Sequence, residues 1–215
     1  MPYKLKTSAR KSRRNKRIGI VVAIALLALI IGGIAFYVFS QPKPVPTVQG
    51  SVLLEVKGWN TTNPSQIGNI TILLRDDKPT TSGHFKTLVQ QGSYDNTTFH
   101  RVIAGFMIQG GHIDGVAAIP DEIGSNNSNV RGTIAMANAG ANTAASDFFI
   151  NTVDNGNKAI DNAGTKFDFA YTVFGTVTQG MDIVDAISHV PVDDPNSQSP
   201  KPLQDVTIVK AIALP

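Results

Sequence analysis

The run FHRVIAGFMIQGG, residues 99–111, decides how this chain is read. It has the crowded apolar character of buried strand, yet it contains His100, Arg101 and Gln109 and ends in two glycines. Arginine is almost never fully buried unless paired, and glutamine carries four hydrogen-bonding valences that an interior must satisfy. An arginine and a glutamine set among Phe99, Phe106 and Met107 need a reason.

The flanking sequence is mostly strand-like. SVLLEVK (51–57), NITILLR (69–75), TTFHRVI (97–103) and FMIQGG (106–111) are β-branched or aromatic runs separated by turn residues. GTIAMA (132–137), DFFINTV (147–153), YTVFGTV (171–177) and VTIVKAI (206–212) continue the series. Eight short strands with Gly/Asn-rich turns predict a barrel or a sandwich. Two segments predict helix instead. In PTTSGHFKTLVQQG, Pro79 opens, Phe85, Leu88 and Val89 form a stripe at helical spacing, and Gly92 closes. In GMDIVDAISHV the stripe is Ile183, Val184 and Ile187, with Asp182 near the positive end of the helix dipole. Residues 112–131 and 154–170 are long connections, and connections of that length in a compact domain usually serve function.

Charge divides the chain. Eight of its 19 cations precede residue 18 and none of its 16 acids precedes Glu55, so the net charge of +3 belongs to the tail. Next comes IGIVVAIALLALIIGGIAFYVF (18–39), without a single charge. At 1.5 Å per residue this run reaches ~33 Å, enough to span a ~30 Å hydrocarbon core. Phe36, Tyr37 and Phe39 stand at its far end as an interfacial anchor would. The expected organisation is a basic cytoplasmic tail (1–17), a transmembrane signal anchor (18–39), a Pro-rich extended linker (40–50) and one exported domain (51–215). A cleaved signal peptide is the competing reading, but such peptides have apolar cores of only ~7–15 residues and a small-x-small cleavage site. Topogenesis accounts for the basic run, so no nucleic-acid partner is expected. The chain has no cysteine, which excludes a disulfide framework, a thiol nucleophile and a thiolate metal site.

FHRVIAGFMIQGG, GTIAMANAGANTAASDFFI (132–150) and DFAYTVFGTVTQGMDIVDAI (168–187) together resemble the cyclophilin family of peptidyl-prolyl cis-trans isomerases. The resemblance spans about residues 49–214 and is nearest the prokaryotic exported branch, because Tyr171 stands where many eukaryotic members carry histidine. It implies a mainly β fold: a closed eight-stranded antiparallel barrel capped by two α-helices, here preceded by the one transmembrane helix. It implies an enzyme that turns X-Pro bonds in extended or unfolded polypeptides, without cofactor or metal, in a domain expected to be monomeric. By resemblance, Arg101 donates to the prolyl nitrogen of the twisted amide, and Gln109 orients it and meets the substrate backbone. Phe106, Met107, Phe149 and Phe167 wall the proline pocket, Tyr171 stands on its rim, and Ala137 and Asn138 offer backbone groups to the peptide.

Taken singly, Arg101 reads as a surface or ion-paired arginine, and the aromatic and methionine residues read as core. Phe99 and Phe148 keep that core reading. Several positions depart from the family pattern. Lys166 replaces the tryptophan of cyclosporin-sensitive members, which implies weak cyclosporin binding; Asp147 replaces a common glutamine, Ala141 a common proline, and His112 a frequent aspartate. Asp147 and Lys166 keep open an alternative, a catalytically weak scaffold that binds proline peptides. Ser146-Asp147 lacks the surroundings of a nucleophile elbow, so a hydrolase is not expected.

Overall fold

The computed structural model describes residues 50–124 and 126–215. The expected tail (1–17), the anchor (18–39) and the linker up to residue 49 lie outside the described residues. Among the described residues no helix is long and apolar enough to cross a membrane.

All eight expected strands form. They are β1 (Ser51–Lys57), β2 (Gly68–Leu74), β3 (Arg101–Ile103), β4 (Met107–Gly110), β5 (Thr133–Met136), β6 (Phe148–Asn151), β7 (Val173–Gln179) and β8 (Thr207–Leu214). They make one sheet in the order β3-β4-β6-β5-β7-β2-β1-β8, with antiparallel neighbours throughout. The closed barrel needs correction: the ladder stops at β3 and β8, so regular pairing gives a half-barrel. The seam is joined by irregular bonds. Asn96 and Phe99 donate their amides to Ile208 and Val206, Ile208 donates to Thr97, and Val102 donates to Pro200. This also explains why the run 97–103 yields strand only from Arg101. Its first half makes a single bridge, Thr98 to Thr207, in place of a ladder.

Alternation fills the interior. Val52, Leu54 and Val56 on β1 and Ile70, Ile72 and Leu74 on β2 point inward and are buried. Phe85 meets Tyr94 and Phe174 at centroid distances of 5.0 Å and Phe148 at 5.5 Å, edge-on. Burying each such ring stabilises the fold by about 1.5–3 kcal/mol. Gly111 is required beside this cluster. Its φ is +78°, and a Cβ there would lie 2.5 Å from the Phe148 ring and 2.8 Å from that of Tyr94.

Helix α1 (Pro79–Gln90) carries Phe85, Leu88 and Val89 into the core and packs against β7 and β8. Its N-cap, Lys78, supplies no side-chain cap. Glu122, from the long connection 112–131, does so instead: its carboxylate accepts the Thr80 and Thr81 amides at 3.1 and 2.8 Å and the Thr81 hydroxyl at 2.7 Å. The helix ends as Gly92 predicts. In the left-handed conformation (φ +69°) Gly92 donates to Val89 while Ser93 donates to Leu88, satisfying two terminal carbonyls. Helix α2 (Met181–Ser188) buries Ile183, Val184 and Ile187 against β2, β3 and β4.

Candidate active site

Strand register accounts for the arginine and the glutamine in the apolar run 99–111. On the inner face Val102, Ile108, Ile150 and Ile134 stand opposite one another across β3, β4, β6 and β5, and all are buried. One residue along, on the outer face, runs a different row: Arg101 opposite Gln109, Gln109 opposite Phe149, Phe149 opposite Ala135, and Ala135 opposite Val173. Side chains on a strand alternate between faces. The arginine and glutamine of the opening run therefore project away from the core onto a second surface.

That surface carries its own apolar cluster, distinct from the barrel interior. Met107, Ala135, Phe149, Phe167 and Val173 are buried in it, with Ile103, Phe106, Ala137 and Tyr171 packed at its edge. Phe167 enters from the connection 154–170, on a 3-10 turn (Phe167–Phe169). Its ring meets Phe106 at 5.3 Å, Phe149 at 5.9 Å and Tyr171 at 4.8 Å between centroids. The rings flank an open hollow of about 140 Å³ lined by Arg101, Phe106, Met107, Gln109, Ala137, Asn138, Phe149, Phe167 and Tyr171. A dry cavity of roughly 150 Å³ accommodates one benzene ring, so this hollow is of the size for a single small apolar ring. All nine residues expected at the site line it.

Arg101 is held at the edge of the hollow by two hydrogen bonds to oxygen, and its Nη1 also lies 4.0 Å from Met107 Sδ. Its Nε donates to the Gln198 carbonyl at 2.8 Å and its Nη1 to Gln109 Oε1 at 3.1 Å. Among the described residues Nη2 has no partner, so that donor remains available. Burial pulls the guanidinium pKa down from its ordinary value, although arginine stays cationic at any working pH. Burial pushes the Tyr171 phenol up, so it stays neutral, a donor as well as an acceptor. Ala137 spends its amide on the Asp147 carbonyl at 2.8 Å, so the group it can offer a peptide is its own carbonyl. The Asn138 side chain donates to the Ala170 carbonyl at 2.8 Å and thereby ties the loop after β5 to the 3-10 turn.

Asp147 does not line the hollow. Its carboxylate lies between two imidazoles, 2.9 Å from His112 Nδ1 and 3.5 Å from His100 Nε2. The hydrogen bond to Asp147 raises the His112 pKa, whereas burial lowers that of His100. Ser146 is a structural strut, its hydroxyl accepting the Ile113 amide at 3.0 Å. Among the described residues no group of His, Cys, Asp or Glu is arranged to hold a metal ion.

Three features went unread in the sequence: the Gln198 carbonyl that moors Arg101, Lys158, whose ammonium lies 4.6 Å above the Phe106 ring, and a set of buried asparagines behind the aromatic wall. Asn129, Asn151 and Asn155 are fully buried and Asn127 nearly so. Only their position in or beside apolar runs, as in FFIN, hinted at them.

Comparison with known proteins identifies the family. The family model "Cyclophilin type peptidyl-prolyl cis-trans isomerase/CLD" matches residues 60–213. A peptidyl-prolyl cis-trans isomerase of Acinetobacter baylyi is 37% identical over 179 residues, covering 78% of this chain and 93% of that protein. Peptidyl-prolyl cis-trans isomerase B of Escherichia coli is 40% identical over 151 residues, covering 66% of this chain and 91% of that protein. Among solved structures, a cyclophilin-type isomerase of Cryptosporidium parvum shares the fold with a TM-score of 0.61 at 24% identity, covering 77% of this chain and 98% of the other. The chain therefore belongs to the cyclophilin-type peptidyl-prolyl cis-trans isomerases.

Proposed function

We propose that the hollow beside Arg101 is the isomerase active site, and that the chain presents it outside the cytoplasmic membrane, anchored by residues 18–39, to assist folding of exported proteins. The observation that carries the site assignment is a guanidinium fixed by two bonds, with Nη2 unused, at the lip of an aromatic hollow the size of one ring.

The chemistry follows from the amide. Rotation about a peptide bond is resisted by ~18–20 kcal/mol because the nitrogen lone pair is delocalised into the carbonyl. At X-Pro both isomers are populated and exchange takes tens to hundreds of seconds. No covalent bond is broken, so neither a nucleophile nor a cofactor is needed. Phe106, Met107, Phe149 and Phe167 grip the proline ring and exclude water, while Gln109 meets the peptide backbone next to it. As the bond twists, the prolyl nitrogen regains its lone pair and becomes an acceptor. Arg101 Nη2 donates to it, an interaction that exists only near the transition state and therefore raises kcat.

The placement rests on the uncharged run 18–39 following eight cations, a pattern that keeps the N-terminus in the cytoplasm and exports residues 51–215. The domain is assigned as monomeric, with extended proline-containing chains as its partners. Two measurements test the proposal. Exchange NMR on an Ala-Pro peptide, with the full chain in detergent, compares wild type with Arg101→Ala. The variant is expected to be at least tenfold slower, and equal rates in the two would refute the catalytic assignment. If the peptide still bound in that case, the scaffold reading would replace it. Fractionation of cells should find the intact N-terminus in the membrane; a mature protein beginning near residue 41 would refute the anchor.

A further inference from the structure

Behind the aromatic wall a chain of side-chain amides joins its two sides. Asn155 donates from Nδ2 to the Phe106 carbonyl at 2.8 Å and to Asn151 Oδ1 at 2.7 Å. Asn151 in turn donates to Asn129 Oδ1 at 3.2 Å and to the Thr133 hydroxyl at 3.0 Å. Asn129 completes the chain, its Nδ2 shared among the Phe167 carbonyl at 3.3 Å, Asp168 Oδ1 at 3.3 Å and the Tyr171 carbonyl at 3.4 Å. All three side chains are fully buried. Asn127 adds a second hold on the same side, donating to the Tyr171 carbonyl at 2.9 Å and accepting the Val173 amide at 2.8 Å.

Phe106 stands on the turn before β4, whereas Phe167 and Tyr171 come from a connection about sixty residues further along the chain. The rings touch one another, but ring contacts hold spacing only loosely, whereas hydrogen bonds fix it by direction and length. Buried amides are costly where unpaired, and Asn155 Oδ1 is buried without a partner among the described residues; the other links are paired, and paired links rigidify what they join. From this geometry we infer that Asn129, Asn151 and Asn155 are positioning residues that set the separation of Phe106 from Phe167 and Tyr171, and so the fit of the hollow to the proline ring. The inference rests on the reading of that hollow as the isomerase site.

Asn151 is the link at which the chain can be made titratable. It donates to Asn129 and accepts from Asn155, so the isosteric Asn151→Asp keeps the acceptor. Its ionised form cannot donate and sets a negative oxygen 3.2 Å from Asn129 Oδ1. Protonation restores a donor, and burial raises the carboxyl pKa into a measurable range. In the full chain, kcat/KM by exchange NMR is expected to be about tenfold below wild type at about pH 8, a loss equivalent to ~1.4 kcal/mol, and to recover most of that as pH falls to about 5. Dividing by the wild-type value at each pH removes the effects of the native groups, His100, His112 and the Asp168 carboxylate bonded to Asn129 among them. Measurements are made well below the melting midpoint, beside Val184→Ala, which destabilises the core under α2 and should track wild type at every pH.

A folded Asn151→Asp whose profile runs parallel to wild type overturns the inference, as does Val184→Ala reproducing the pH-dependent loss. If Asn151→Asp does not fold, Asn155→Asp carries the same test against the Phe106 carbonyl. On the unaltered protein, the side-chain amide signals of Asn151 and Asn155 should shift when an Ala-Pro peptide binds, and unmoved signals also overturn it. Wild type turning over no faster than Arg101→Ala instead sinks the isomerase reading, and the inference with it.

Discussion

Replacing Arg101 by lysine tests whether the site needs a charge or a directed donor. In the structure Nε and Nη1 are occupied by the Gln198 carbonyl at 2.8 Å and Gln109 Oε1 at 3.1 Å, and this double mooring fixes the plane of the guanidinium. Lysine keeps the charge but gathers its donors on one flexible ammonium, which cannot hold both moorings and still present a third donor in a fixed direction. The bond at stake, a charged donor to a developing lone pair, contributes about 1.5–3 kcal/mol. Each ~1.4 kcal/mol is tenfold in rate, so kcat should fall about ten- to hundredfold. On the proposed reading KM should change little, because the grip of Phe106, Met107, Phe149 and Phe167 on the ring would be the same in the planar and twisted states. Exchange NMR with varied Ala-Pro peptide separates the two constants without a coupling protease. A lysine variant with wild-type kcat would show that charge alone suffices. One with unchanged kcat and raised KM would assign Arg101 to uniform binding. Either result refutes the directed-donor mechanism.

Other consequences are cheaper to check. Glu122→Ala removes the cap of α1 and leaves the Thr80 and Thr81 amides unpaired, so urea unfolding should show a loss of about 1–2 kcal/mol; an unchanged midpoint would mean that water replaces the carboxylate. Gly111→Ala forces a methyl against Phe148 and Tyr94 at a positive φ, and overpacking plus left-handed strain should cost about 2–5 kcal/mol by the same assay. The hydrogen bond to Asp147 raises the folded pKa of His112. Its stabilising contribution is therefore full below the unfolded value of about 6.5 and is lost as pH rises through the raised folded value. Burial lowers the folded pKa of His100, so its contribution runs the other way, with stability lost as pH falls from about 6.5 through the lowered value. The stability difference between wild type and His112→Asn, from thermal melts, should accordingly be greatest on the acid side and vanish on the alkaline side. A difference independent of pH would contradict the pairing.

How far the sequence could be read depended on the range over which each feature is determined. Strand and helix positions follow from local alternation and spacing, and apart from the first half of the run 97–103 they emerge close to where expected, Gly92 closing α1 included. Phe106, Met107, Gln109 and Phe149 are legible as site residues only through the family resemblance of the motifs that carry them; taken singly the apolar three read as core. Features settled by distant backbone were not legible. The run 97–103 has β character throughout, but which edge Thr97–Phe99 would meet depends on Val206–Ile208, more than a hundred residues away. The Gln198 carbonyl lies 97 residues from Arg101 and carries no side-chain signal at all. Asn151 reads as an ordinary polar strand end until Asn129 and Asn155 are brought beside it. Phe167 sits in a connection with no periodicity, and only the 3-10 turn directs its ring toward Phe149.

The accuracy of the outer row is inherited from the inner one. Arg101, Gln109 and Phe149 interact weakly enough that they could not by themselves choose a register, whereas Val102, Ile108, Ile150 and Ile134 can. A slip of one residue would carry these four to the outside and draw Arg101 and Gln109 into the core. Burial of each aliphatic side chain is worth about 1.5–3 kcal/mol, so a slipped register is excluded by the interior before any substrate arrives. The alignment of the guanidinium with the aromatic hollow is thus enforced by side chains that never touch the peptide. Changes on the outer row can therefore remove catalysis while leaving the sheet intact, whereas changes on the inner row damage both together.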